Sequence, residues 1–270
     1  MRNYSNTWLA IIFVFCMLLL EACGGNQTTQ PITSPKPLPN IYSLIFIDKT
    51  VSVSLKDNYT REKYEKALQE IVQQNVRRKG DKIEVYFLHE NTSQARVFAM
   101  QCKAEMKDTA GLNPTDIKSI KNAYQVSLKK EKNKMQQRCI EALLDDNITE
   151  TKQYTDIWAI LPIIDKKNAK KPENTIFKVF ILSDMVESMP GLERRDFYKR
   201  PPFSRQEAEQ WAEKDVKRFT EIDLSEVEMY YVLPHSPLST TNQNNPNVLH
   251  YWEKMLSKLG LEELKEWNVE

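Results

Sequence analysis

The chain has 270 residues, with 38 Lys+Arg against 37 Asp+Glu and a formal net charge of +1. That balance excludes a nucleic-acid binder of the usual kind, because neutralising phosphates requires a clustered basic excess. Hydrophobic residues make up 41% and charged residues 28%, the composition of an ordinary folded body. The 6 glycines leave little material for phosphate-cradling loops, and neither a Walker A motif nor G-x-G-x-x-G occurs.

The first elements read as an address. Arg2 supplies a positive start, and Trp8 to Leu20 is uninterrupted apolar sequence. At 1.5 Å per residue this run reaches about 20 Å, short of the ~30 Å hydrocarbon core, so it reads as a signal segment rather than a permanent span. Leu20-Glu21-Ala22-Cys23 follows and resembles a bacterial lipobox, with Glu21 an unusual occupant of its position. The resemblance implies a signal peptide over 1–22, cleavage before Cys23, and palmitate-type acylation of that cysteine. It also implies a membrane-anchored lipoprotein of the bacterial cell envelope, on the outer membrane or facing the periplasm. Several acyl chains anchor far more firmly than one. Residues 23–40 carry prolines at 31, 35, 37 and 39 without hydrophobic periodicity, and read as an extended tether.

A folded domain is expected over 41–270. Ile41 to Ile47 has the continuous apolar character of a strand buried on both faces. Arg61 to Arg77 places Tyr64, Ala67, Leu68, Ile71 and Val72 at helical spacing, closed by Gly80. Lys82 to Leu88 and Gln94 to Met100 read as strands. Asn113-Pro114 opens a long helix towards Leu144, with proline at a tolerated position. Ile157 to Ile164 is an apolar helical stretch, and Thr175 to Leu182 is a strong strand. Ser204 to Phe219 reads as a helix, Val227 to Leu233 as a strand, and Val248 to Trp267 as a closing helix. This alternation predicts an α/β fold: one mostly parallel, Rossmann-like sheet with helices on both faces.

Ligands of open α/β sheets sit outside the carboxyl ends of the strands. After the first strand comes Asp48-Lys49-Thr50-Val51-Ser52, and after Leu182 comes Ser183-Asp184-Met185. Thr155-Asp156 lies between them, leading into a helix. Asp48, Thr50, Ser52, Thr155 and Asp184 form an all-oxygen set suited to a hard divalent ion, Mg²⁺ above all, with Mn²⁺ or Ca²⁺ as substitutes. With only two carboxylates, the ion would keep positive charge for an incoming acidic group. A lone D-x-[ST]-x-S occurs by chance in ~0.2 of chains this long, so its position after a buried strand carries the argument.

This arrangement resembles the von Willebrand factor A (vWA) domain and its metal-ion-dependent adhesion site, over roughly 41–267. The resemblance implies that Thr50 and Ser52 bind the ion directly and Thr155 directly or through water. Asp48 and Asp184 would act mostly through water, leaving one position for a partner's carboxylate. The expected function is therefore binding of a protein or glycan partner with an acidic group, and not catalysis. Two positions depart from the family pattern: Met185 stands where a small residue, often glycine, is usual, and Tyr154 and Asp156 flank Thr155 in place of a nearby glycine. The competing assignment makes Asp48 and Thr155 turn caps and Asp184 a loop hydrogen-bond acceptor. The protein would then be a metal-free structural or assembly component of an envelope complex.

Other candidates are weaker. Cys102 and Cys139 are the pair left in an oxidising compartment once Cys16 and Cys23 are set aside, and read either as a disulfide or as two unlinked, partly buried thiols. His89, His235 and His250 lack the spacing of a zinc site. No G-x-S-x-G or H-E-x-x-H appears. The basic run from Lys129 to Lys134 reads as a solvated helix face.

Overall fold

The computed structural model describes residues 38–146, 149, 152–235 and 244–269. The expected signal peptide, Cys23 and nearly all of the tether lie outside the described residues. Among the described residues, no helix is long and apolar enough to cross a membrane.

Residues from Pro39 onward form one unit built on a six-stranded sheet. The strands are β1 (Asn40–Asp48), β2 (Lys82–Leu88), β3 (Arg96–Gln101), β4 (Thr175–Leu182), β5 (Val227–Val232) and β6 (Leu264–Glu266). The helices are α1 (Asn58–Asn75), α2 (Pro114–Leu144), α3 (Ile160–Asn168), α4 (Arg205–Asp215) and α5 (Pro246–Lys258). Strand order across the sheet is β3-β2-β1-β4-β5-β6. All neighbours are parallel except β3, which runs antiparallel to β2 at one edge. The fold is thus the α/β class expected, a mostly parallel sheet covered on both sides.

The two-sided burial follows from the pleat, which sends alternate residues of a strand to opposite faces. From β1, Tyr42, Leu44 and Phe46 enter one core with Leu161 of α3, Ala208 of α4 and Trp252 of α5. Ile45 and Ile47 enter the other, with Leu68 and Ile71 of α1 and Met135 of α2. Polar caps stop the chain at defined places. Asp57 accepts from the Thr60 N–H at the start of α1, Asn113 from Asp116 at α2, and Ser204 from Glu207 at α4.

The expected closing helix over 248–267 is corrected. It ends at Lys258, because Gly260 takes a left-handed φ of +95° and turns the chain back. A side chain at Gly260 would also press on Asp223 and Ser225. The residues beyond form β6, and Trp267 packs edge-on against Phe180 and Tyr230 rather than continuing a helical stripe. Smaller shifts occur elsewhere. The helix expected over 204–219 gives way after Asp215 to a 3₁₀ turn, Val216–Arg218, and the strand expected over 94–100 occupies 96–101.

Cys102 and Cys139 are free thiols, both buried, so the disulfide assignment gives way to the unlinked one. They lie in the same apolar core, and burial pushes the Cys139 thiol up to about 12, where thiolate chemistry is suppressed. Unfolding the protein in guanidinium with iodoacetamide and no reductant is expected to alkylate both cysteines in full. A Cys102–Cys139 cross-linked peptide in the digest would contradict the assignment.

Candidate functional site

The register of the central strands brings three loops to one edge. Ile47 lies opposite Leu182 on β4, and Asp48 opposite Leu88 on β2, so the chain leaves all three strands at the same carboxyl end. Asp48, the last residue of β1, is fully buried, and its two oxygens organise the loops around it. One oxygen accepts from the Thr50 N–H at 2.9 Å and the Thr50 hydroxyl at 2.6 Å. The other accepts from the Ser183 hydroxyl at 2.6 Å, which ties the loop after β4 to the loop after β1.

The hydroxyls continue the network. Thr50 Oγ1 lies 3.0 Å from Ser52 Oγ, and the Thr155 hydroxyl donates to Thr50 Oγ1 at 3.2 Å. Thr155 is buried, although the sequence separates it from Thr50 by 105 residues. Asp184 accepts from the Val186 N–H at 3.0 Å through one oxygen and from the Tyr198 hydroxyl at 2.9 Å through the other. Tyr198 also lies close to Ser52, so it stands over the first and third loops from outside. The structure therefore joins Asp48, Thr50, Ser52 and Thr155 by direct hydrogen bonds and brings Asp184 into the group through Tyr198 and Ser183, its chain neighbour.

Several contributors carried no sequence signal of their own. Ser183 was visible beside Asp184, but its bond to Asp48 depends on the β1–β4 register. Tyr198 lies in an irregular loop 14 residues past Asp184. Lys49, the middle of D-x-T, points away from the site. Its ammonium donates to Leu143 O at 2.7 Å and Ala142 O at 3.3 Å, satisfying carbonyls at the C-terminus of α2. Burial lowers its pKa to about 8. Met185 adopts a left-handed φ of 63°, a conformation that glycine takes at least cost. The strain, about 1–2 kcal/mol, is offset by full burial of its side chain and a 2.7 Å bond from the Trp252 indole N–H to its carbonyl.

Electrostatics mark the same place. Burial, and then the charge of Asp184, push the Asp48 carboxyl up to about 7, against the hydrogen bonds from Ser183 and Thr50. Tyr64, on α1, is fully buried and its hydroxyl has no partner among the described residues. Burial raises its pKa first, and the charges of Asp48 and Asp184 add to the shift. Two carboxylates repelling each other beside hydroxyl oxygens, with an unsatisfied buried hydroxyl near both, fit a hard cation. Among the described residues no group of three or more His, Cys, Asp or Glu that could hold a metal occurs; the converging set is instead two carboxylates with three hydroxyls, the donor chemistry of a hard ion. Outside it opens a cleft of about 1060 Å³, lined by Ser52, Asp184, Tyr59, Tyr154 and Tyr198 among others.

No family model matches the chain, and no curated protein matches it. Among solved structures, it is similar to the von Willebrand factor type A protein from Catenulispora acidiphila, with 11% identity and a TM-score of 0.36, over 82% of this chain and 43% of that one. It is similar to the manganese-loaded TRAP protein of Plasmodium vivax, with 12% identity and a TM-score of 0.31, over 78% and 62%. It is also similar to the conserved hypothetical protein BatB from Bacteroides thetaiotaomicron, with 11% identity and a TM-score of 0.37, over 86% and 92%. The chain thus spans less than two thirds of the first two of these proteins. These likenesses concern the path of the chain alone, and the assignment of the fold rests on the sheet order and strand directions.

The raised Asp48 pKa has a signed consequence. The folded state holds this proton up to about pH 7, whereas an ordinary aspartate releases it near 3.8. Between those values the folded state binds more protons than the unfolded chain, so stability falls as pH rises through the window. With EDTA present, the Tm of the wild type is expected to drop by roughly 10 °C more than that of Asp48→Asn between pH 4.5 and 7.5. Parallel curves for the two proteins would refute the assignment.

Proposed function

We propose that this chain is a lipid-anchored envelope protein whose vWA-like domain grips an acidic group on a protein or glycan partner through a divalent cation, Mg²⁺ in the first instance. The observation that carries this reading is the convergence of Asp48, Thr50, Ser52, Thr155 and Asp184, from three separate loops, at one end of the sheet. Thr50, Ser52 and Thr155 would offer neutral oxygens to the ion, and Asp48 and Asp184 the balancing charge. When bound, the ion supplies an electrophilic point for a carboxylate. Asp48 keeps Thr50 aimed, since it accepts both the backbone and hydroxyl protons of that residue. The site binds and does not cleave. Both oxygens of Asp48 and both of Asp184 already accept hydrogen bonds that hold the loops, which favours a holding role for these carboxylates over proton abstraction.

A second reading, a metal-free assembly component, is favoured by one observation: the hydroxyls of Thr50, Ser52 and Thr155 already satisfy each other. Calorimetry separates the two. Mg²⁺ or Mn²⁺ titrated into the full-length protein in detergent is expected to bind, with at least ~10-fold weaker affinity in Ser52→Ala and Asp184→Ala, about 1.4 kcal/mol each. No heat from the wild type would leave the metal-free reading.

The anchor rests on the lipobox-like residues and is tested separately. Radiolabelled palmitate fed to expressing cells is expected to label the wild type and not Cys23→Ser. Equal labelling of both would remove Cys23 as the attachment point.

A further inference from the structure

We propose that Ser188 is a positioning residue of the cation site, holding Thr155 in place and making the Thr155 and Asp184 loops one unit; this deepens the cation-site reading and rests on it. Thr155 belongs to neither a helix nor a strand, since 153–156 is irregular and α3 begins only at Ile160. Regular structure therefore does not fix the backbone that presents its hydroxyl to Thr50. Ser188 does. The Thr155 N–H donates to Ser188 Oγ at 2.9 Å, and the Ser188 N–H donates to the Thr155 carbonyl at 3.0 Å. Both backbone groups of Thr155 are thus paired with one residue. The same serine hydroxyl donates onward to Gln153 O at 3.3 Å, so its donor and acceptor roles are both used.

The neighbouring residue braces the far side of the turn. Glu187 is fully buried, and one of its oxygens accepts from the N–H groups of Ile157 at 2.7 Å and Trp158 at 3.1 Å. The other pairs with Arg194, which also reaches Asp156 Oδ1 at 2.5 Å and lies over the Trp158 ring. Such charge-assisted bonds are the stronger kind. Ser188 stands only four residues past Asp184, so a displacement of either site residue is transmitted to the other through a short stretch of chain. Groups that orient ligands in this indirect way commonly change metal affinity 10–100-fold when removed.

A double-mutant cycle distinguishes positioning from general support. Mn²⁺ affinity is read from the free aquo-ion signal in electron paramagnetic resonance, using full-length protein in detergent. Ser188→Ala and Thr155→Ala are each expected to weaken binding ~10-fold, and the double variant no more than ~2-fold beyond Thr155→Ala. Ser188→Thr, which keeps the hydroxyl, is expected to retain affinity within ~3-fold of the wild type. Additive losses of ~100-fold, or wild-type affinity in Ser188→Ala, would overturn the proposal. A metal-free arm stands apart from the cation reading. In the absence of cation, exchange of the Thr155 amide is expected to accelerate at least ~10-fold in Ser188→Ala while that of Val179, in β4, stays unchanged. Unchanged Thr155 exchange overturns the proposal even if the wild type binds Mn²⁺. Absence of Mn²⁺ binding by the wild type overturns the cation reading, and with it Ser188's role toward an ion. If Ser188→Ala does not fold, Ser188→Gly, which also removes the hydroxyl and keeps the backbone N–H, replaces it in both arms, with the same outcomes deciding.

Discussion

A carboxylate with no exposure to solvent sits at the end of the central strand, and Asp48 would be a costly residue there without compensation. The compensation comes from three directions. Thr50 closes the loop back onto it, Ser183 arrives from the adjacent strand, and the parallel register of β1 with β4 makes that meeting unavoidable. The hydroxyls of Ser52 and Thr155 then find their partners on Thr50 and not on Asp48 itself. The polar set is thus nested around one buried carboxyl group, and the apolar cores above and below hold that group at the sheet's edge. Burial, and then repulsion from Asp184, lifts the Asp48 pKa, and this is the residual tension of the arrangement. Such tension is commonest where a ligand or ion relieves it.

The loops around this centre are braced more heavily than the site alone requires. Lys49 fastens the first loop to the end of α2, Ser188 and Glu187 fasten the second to the third, and Trp252 of α5 fastens the strained Met185. Tyr198, 52% exposed, reaches the site from the solvent side. Loops braced in this way are a feature of a preorganised binding surface, where little ordering is left for the moment of association.

Much of this was legible in the sequence, for identifiable reasons. The apolar run of β1 is the signature of a strand covered on both faces, and the alternation of strand-like and helix-like segments after it gave the class of sheet. Asp48, Thr50 and Ser52 were legible because their i, i+2, i+4 spacing directly follows such a strand. Thr155 and Asp184 were legible only as residues at the right ends of elements, since their meeting depends on strand order. The roles of Ser183, Tyr198, Glu187 and Ser188 were not, because Ser183 meets Asp48 only through the β1–β4 register and the other three act through contacts among irregular loops. The closing helix reads too long in the sequence because aromatic residues recur up to Trp267. The left-handed turn at Gly260 overrides that periodicity and sends Trp267 onto the sheet.

The claim on which the account depends is that one ion is held by oxygens from three loops at the end of β1. Anomalous diffraction from crystals of the protein soaked in Mn²⁺ tests it most directly. The account predicts a single strong peak bounded by Thr50, Ser52 and Thr155, with Asp48 and Asp184 at its edge. Well-diffracting crystals with no peak there, or with manganese bound only elsewhere, would contradict it.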